Sequence, residues 1–136
     1  MGERFALDHV GVVVRDLDAA KREFRERFGM ELVGEEDLPH LGVRVAYLDS
    51  GGSLLQLLTP IGPGGVRDHL QNSGEGLHHL CYAVPDIEAA VARLAPDAGV
   101  RINRGGRGRL ACFLPGETGS VTIELTEAEP SFGEGG

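Results

Sequence analysis

Tryptophan is absent, and only two cysteines and two methionines occur in 136 residues. So small a cysteine complement excludes a disulfide framework and any zinc or redox site built from CxxC pairs. Cys81 and Cys112 each sit inside an apolar run and read as buried thiols, not nucleophiles. Basic residues are also scarce: 13 Lys and Arg stand against 21 Asp and Glu, for a net charge of −8. That balance argues against a nucleic-acid backbone or an anionic lipid surface as partner. No run approaches the ~18 apolar residues of a membrane-spanning helix. Met1-Gly2-Glu3-Arg4-Phe5 leads straight into a strand-like segment with no signal-peptide core, so a cytoplasmic protein is expected. What is present is a 41% hydrophobic content, enough for one core and one domain. The 21 glycines and 7 prolines fall between periodic segments and read as turns, and 128–136 reads as a disordered tail.

An internal repeat organises the rest. Leu7-Asp8-His9-Val10 and Leu77-His78-His79-Leu80 open two segments in register at an offset of 70 residues, and Val14, Asp16, Leu17 and Ala19-Ala20 match Val84, Asp86, Ile87 and Ala89-Ala90. Later parts correspond too, Ala46-Tyr47-Leu48 with Ala111-Cys112-Phe113 and Leu55-Gln56-Leu57 with Ile123-Glu124-Leu125. In the first half, patterning predicts a strand over 5–14 and a helix capped by Asp16 and running to Phe28, with Leu17, Ala20, Phe24 and Phe28 on its apolar face. Strands over 30–34, 43–48 and 53–58 follow, the last two forming a hairpin. The second half predicts a strand over 78–84, a helix over 86–94, and strands over 100–103, 110–114 and 120–125. The expected fold is α+β: two tandem βαβββ modules forming a pseudo-symmetric half-barrel. A single domain over 5–127 would comprise module one (5–60), a linker (61–76) and module two (77–127).

Strand alternation selects the residues able to meet in a shared cleft. Val121, Ile123 and Leu125 pack under a helix, which turns Glu124 the other way; the same count places His9, Gln56 and His79 on the non-core faces of their strands. Each of these alone is as readily an ordinary polar group on a half-solvated sheet. Together, at equivalent points of a repeat, they make a set of donors suited to a borderline divalent ion, with the amide oxygen adding a ligand but no charge. Four protein ligands leave room in an octahedral shell for substrate, the mark of a catalytic and not a structural site.

The segments Leu7-Asp8-His9-Val10-Gly11-Val12, Leu54-Leu55-Gln56-Leu57-Leu58-Thr59-Pro60, Gly76-Leu77-His78-His79-Leu80 and Thr122-Ile123-Glu124-Leu125 resemble those of the vicinal oxygen chelate superfamily, and within it the methylmalonyl-CoA epimerase family. The likeness spans about Phe5 to Glu127 and includes the stretch Gly42 to Leu48 and the helical stretch Val66 to Leu70. It implies that His9, Gln56, His79 and Glu124 are metal ligands, with His78 a neighbour. It also implies a divalent cofactor (Co, Mn, Ni, Zn or Fe), a small acyl-CoA thioester as substrate, and a homodimer. The implied reaction removes the proton α to the thioester carbonyl while the metal stabilises the enolate oxygen, and Glu124 is the expected catalytic acid/base.

Three positions depart from the family pattern. Val45 stands where some members carry a second catalytic glutamate; Glu35, Glu36 and His40, just upstream, read as an exposed acidic turn. The loop from Asn103 to Arg109 lacks the usual Glu-Pro-Arg segment, and its Arg104, Arg107 and Arg109 either grip a carboxylate or CoA phosphates or form a solvated basic turn. Phe113-Leu114-Pro115-Gly116-Glu117 lacks the family's His-Pro-Lys. Two other functions fit the same ligands less well: a glyoxalase-type isomerase or other superfamily enzyme of secondary metabolism, and a metal-free small-molecule-binding protein of the resistance type.

Overall fold

A computed structural model describes residues 4–118 and 121–128. Its sheet has eight strands in the order β2-β3-β4-β1-β5-β8-β7-β6, curled into a half-barrel. Module one supplies β1 (Ala6–Val13), α1 (Leu17–Phe28), β2 (Glu31–Leu38), β3 (Val43–Asp49) and β4 (Leu54–Pro60). After α2 (Gly65–Ser73), module two repeats the sequence with β5 (Gly76–Val84), α3 (Ile87–Leu94), β6 (Asn103–Arg104), β7 (Leu110–Thr118) and β8 (Val121–Glu127). The strand order mirrors about the antiparallel β1–β5 seam, and each module's first strand pairs in parallel with its last, β1 with β4 and β5 with β8. The repeat read in the sequence is therefore a repeat in space.

Local chemistry explains the helices. Asp16 and Asp86 cap α1 and α3 identically, each carboxylate accepting from the backbone N–H three residues on, at 3.0 and 3.1 Å. Both helices lie on the convex face. α1 buries Leu17 with Ala46, Leu48 and Leu57, while α3 buries Ile87 and Ala90 with Val84, Cys112 and Leu125. The concave face is unequal between the modules: in module one α2 covers it through Val66, packed with Val13, Val43, Val45, Tyr47 and Leu58. Among the described residues, no helix of module two covers its concave face in this way.

Several expectations need correction. Phe28 is 54% exposed and packs outside the core, its ring against Phe24 at 5.4 Å and beneath the Arg27 guanidinium. The strand expected over 100–103 shrinks to Asn103–Arg104, since Val100 and Ile102 are spent on packing against the α3 cluster instead of pairing. β2 runs on to Leu38, so Glu35 and Glu36 belong to a strand and not to a turn. Within the linker 61–76, the helical stretch expected over 66–70 is the middle of the longer helix α2. Both cysteines are buried and free, as expected. Of the segment 128–136, only Ala128 is described, its N–H donating to the Val84 carbonyl at 2.8 Å; the rest lies outside the described residues. No helix among the described residues is long and apolar enough to cross a membrane.

Candidate metal centre

The four central strands, β4, β1, β5 and β8, carry Gln56, His9, His79 and Glu124 respectively, one each. Pleat alternation turns all four to the concave face, and three of them are almost fully buried: His9 (4%), Gln56 (6%) and His79 (3%). Gly11 is the hub of this register, paired across with Gln56 on one side and with His79 on the other. A Cβ at Gly11 would lie 2.2 Å from Cε1 of His79, so the glycine makes the space that the imidazole fills.

Three donor atoms converge. His9 Nε2 and His79 Nε2 are 3.0 Å apart, and Glu124 Oε1 lies 3.3 and 3.2 Å from them. Ligands at about 2.1 Å from one ion are separated by about 3.0 Å in an octahedral shell and about 3.4 Å in a tetrahedral one, so the triangle has the dimensions of one face of a coordination shell. Glu124 Oε1 and Gln56 Oε1 are buried without a hydrogen-bond partner. Such atoms cost free energy unless a cation or donor satisfies them. The residues present therefore fit a divalent metal, with His9, His79 and Glu124 in the cluster and Gln56 on the same cavity wall.

The surrounding charges reinforce this. Burial works to raise the Glu124 carboxyl, but the His79 and His9 imidazoles beside it hold it far below the usual carboxylate range. Burial likewise works to lower His9, yet Asp8 and Glu124 raise it above an ordinary imidazole. Both shifts express a demand for positive charge at the same spot, which a proton or a metal ion can meet. Each ligand imidazole is backed by the residue before it. His9 Nδ1 bonds Asp8 at 2.7 Å, and His79 Nδ1 meets His78 Nδ1 at 2.7 Å. Burial pushes Asp8 up, but its bonds to His9 and Arg107 prevail and bring it to about 2. Burial and the neighbouring His79 and His69 bring His78 down to about 4, so it stays neutral and can accept from its neighbour. Cys81 also faces Asp8 and His9, and burial holds it as a thiol.

Beside the cluster opens a cavity of about 140 Å³, walled by Leu38, Leu41, Val43, Val45, Leu58, Val66 and Phe113, with His78, His79, Gln56 and Glu124 at its polar end. The four side chains expected to share a cleft, His9, Gln56, His79 and Glu124, do lie together on the concave face. Sequence reasoning missed Asp8, although Asp8 and His78 occupy the same place in the repeat. It took His78 only as a neighbour of the expected ligands. A register shift in the β1–β5 ladder beyond Gly11 accommodates an extra residue in β5, and His78 lines the same cavity as His79. The basic loop is corrected as well: Arg107 and Arg109 turn inward to Asp8, and the Arg104 guanidinium donates to the Gly108 carbonyl at 2.8 Å. Of the upstream residues, Glu36 accepts from Tyr47 Oη at 2.8 Å and from the Arg107 N–H at 2.7 Å, Glu35 pairs with Lys21, and the exposed His40 meets the Arg104 carbonyl.

A curled sheet of two βαβββ modules with two histidines and a glutamate meeting at its seam defines a class, and the chain belongs to the glyoxalase/bleomycin resistance protein/dioxygenase superfamily, whose family model matches residues 8–113. Within that class it is similar to methylmalonyl-CoA epimerases. It is 35% identical to the ethylmalonyl-CoA/methylmalonyl-CoA epimerase of Cereibacter sphaeroides, over 89% of this chain and 96% of that one. The methylmalonyl-CoA epimerase structure from Mycobacterium tuberculosis superposes with a TM-score of 0.84 at 32% identity, covering 98% of this chain and 97% of that one. A variant of the Streptomyces coelicolor methylmalonyl-CoA epimerase, solved in complex with 2-nitronate-propionyl-CoA, gives a TM-score of 0.82 at 33% identity, covering 94% of this chain and 100% of that one.

Proposed function

We propose that the protein epimerises methylmalonyl-CoA or a similar 2-substituted acyl thioester, with His9, Gln56, His79 and Glu124 holding a divalent cation. The observation that carries this reading is the convergence of His9 Nε2, His79 Nε2 and Glu124 Oε1 at the polar end of an otherwise apolar cavity. The cation would supply positive charge opposite the thioester oxygen as negative charge develops on it, worth several kcal/mol to a reaction whose α-proton is too weakly acidic for an unaided carboxylate.

The chain's own residues do the rest. Glu124, held ionised by its two histidines, is the group that takes the α-proton. Val45, Leu58, Val66 and Phe113 exclude water from the acyl group and strengthen the electrostatics inside. Inversion requires a second proton carrier on the opposite side, and Val45, buried in the cavity wall, cannot act as one. Beyond the four proposed ligands, His78 is the remaining cavity-lining side chain able to carry a proton among the described residues, which makes it the candidate for that role. The same reading takes the chain to be cytoplasmic, in keeping with two free buried thiols, and homodimeric, as the family resemblance implies.

The test is deuterium wash-in. Co(II)- or Mn(II)-loaded protein incubated with methylmalonyl-CoA in D₂O should incorporate deuterium at the α-carbon, followed by mass spectrometry, and Glu124→Gln should abolish it. Exchange no faster than the free metal produces would overturn methylmalonyl-CoA as substrate.

A further inference from the structure

We propose that Arg107 is a positioning residue for the metal centre: it reaches across from module two, pairs with Asp8, and through Asp8 locks the His9 ring with Nε2 turned to the cation. The inference rests on the metal-site reading above and deepens it.

Arg107 is conspicuous in its backbone. Among the described residues it is the only non-glycine with a positive φ, at 60°. A bulky residue stays in the left-handed region only where its surroundings over-determine it, and such positions gather at functional sites. Here the determinants come from module one. The Arg107 N–H donates to Glu36 Oε2 at 2.7 Å, the same oxygen that accepts from Tyr47 Oη at 2.8 Å, and the guanidinium lies 5.2 Å over the Tyr47 ring. The preceding Gly106 is pressed so closely that a Cβ there would stand 2.1 Å from Tyr47 Oη.

What this posture delivers is a guanidinium at Asp8. Arg107 Nη2 pairs with Asp8 Oδ2, and that oxygen also bonds His9 Nδ1 at 2.7 Å. Arg109 Nη1 adds a longer contact, 3.4 Å, to Asp8 Oδ1. With Asp8 fixed as the acceptor, the His9 proton resides on Nδ1 and the Nε2 lone pair faces Glu124 and His79. The chain Arg107–Asp8–His9 is not a product of the repeat, because the equivalent position behind His79 holds His78, with His69 rather than an arginine against it. It is a cross-module brace particular to one ligand.

The experiment uses the full chain, stripped with a chelator and reloaded with Co(II), comparing wild type, R107Q, R107K, D8N, the D8N/R107Q double variant and E124Q. Co(II) affinity is read by competition with a chromophoric chelator, and the ligand field by the visible Co(II) bands. R107Q should weaken Co(II) about 10-fold and shift the bands, and D8N should weaken it about 10- to 100-fold. The double variant should bind no worse than D8N alone, because both act through one chain of contacts. R107K, which keeps the charge but not the forked geometry, should recover part of the loss. Thermal unfolding of the metal-free variants checks folding; should R107Q fail to fold, D8N, which leaves the contacts of the Arg107 backbone to Glu36 intact, carries the test. Affinity and bands unchanged in R107Q, or fully additive losses in the double variant, would overturn the inference alone. A wild-type chain that holds Co(II) no better than E124Q would overturn the metal reading and this inference with it.

Discussion

One added carbon at position 11 separates this site from a spoiled one. Gly11→Ala would place a methyl 2.2 Å from the His79 ring, with the β1–β5 ladder fixing both backbones. The ring must swing away, and Co(II) affinity should fall by at least about 10-fold, measured by chelator competition. Gln56 makes the opposite case, a residue whose cost is visible without metal. Its buried Oε1 has no hydrogen-bond partner, a penalty of about 1–3 kcal/mol for such an atom. Gln56→Leu, close in volume, should leave the metal-free chain as stable or more so in denaturant titration while weakening metal binding. An equal loss of both stability and affinity would show that the amide is satisfied within the protein. At this scale the four clustered side chains, His9, Gln56, His79 and Glu124, were legible in the sequence. Their partners Asp8 and Arg107 were not, since 99 residues separate the pair they form.

Among the elements, the helices followed sequence rules closely and the strands less so. Asp16 and Asp86 announce their helices because capping is chemistry within three residues of the chain. Asp86→Ala should therefore cost about 1 kcal/mol in thermal or denaturant unfolding and leave Co(II) affinity unchanged, as α3 lies on the convex face away from the ligands. A change in affinity would mean that α3 is coupled to the concave face. Strand β5 shows where a period of two fails. The register shift opposite Gly11 is a property of the ladder between two strands, so it leaves no mark in either strand's own pattern, and His78 is turned to the cavity unannounced. Strand β2 ran four residues past its expected end, to Leu38, because pairing with β3 continues through Asp37 and Leu38 and Leu38 packs against the cluster around Val43 and Val45.

For the whole molecule, the candidate metal site lies across the β1–β5 seam and draws side chains from both modules, His9 and Gln56 from one, His79 and Glu124 from the other. A cation bound there holds the modules together and binds only the folded chain. At 100-fold excess over its Kd it should add about 2.7 kcal/mol of stability, seen in calorimetry as a rise in Tm on loading and a matching fall on chelation. E124Q should abolish the rise. A Tm indifferent to metal in the wild type would place any bound ion outside the fold's seam.

Fold class, the twofold internal repeat and the shared face of His9, Gln56, His79 and Glu124 were determined by the sequence itself, because periods of 2 and 3.6 residues and local caps fix which way most side chains point. Tertiary structure alone decided which distant side chains meet: Arg107 with Asp8 and Glu36, Tyr47 with Gly106, His78 with the cavity, and α2 over one module's concave face and not the other's. The reason is physical. Those contacts depend on the path of a loop through a left-handed turn and on the register between strands, and neither quantity is periodic along the chain.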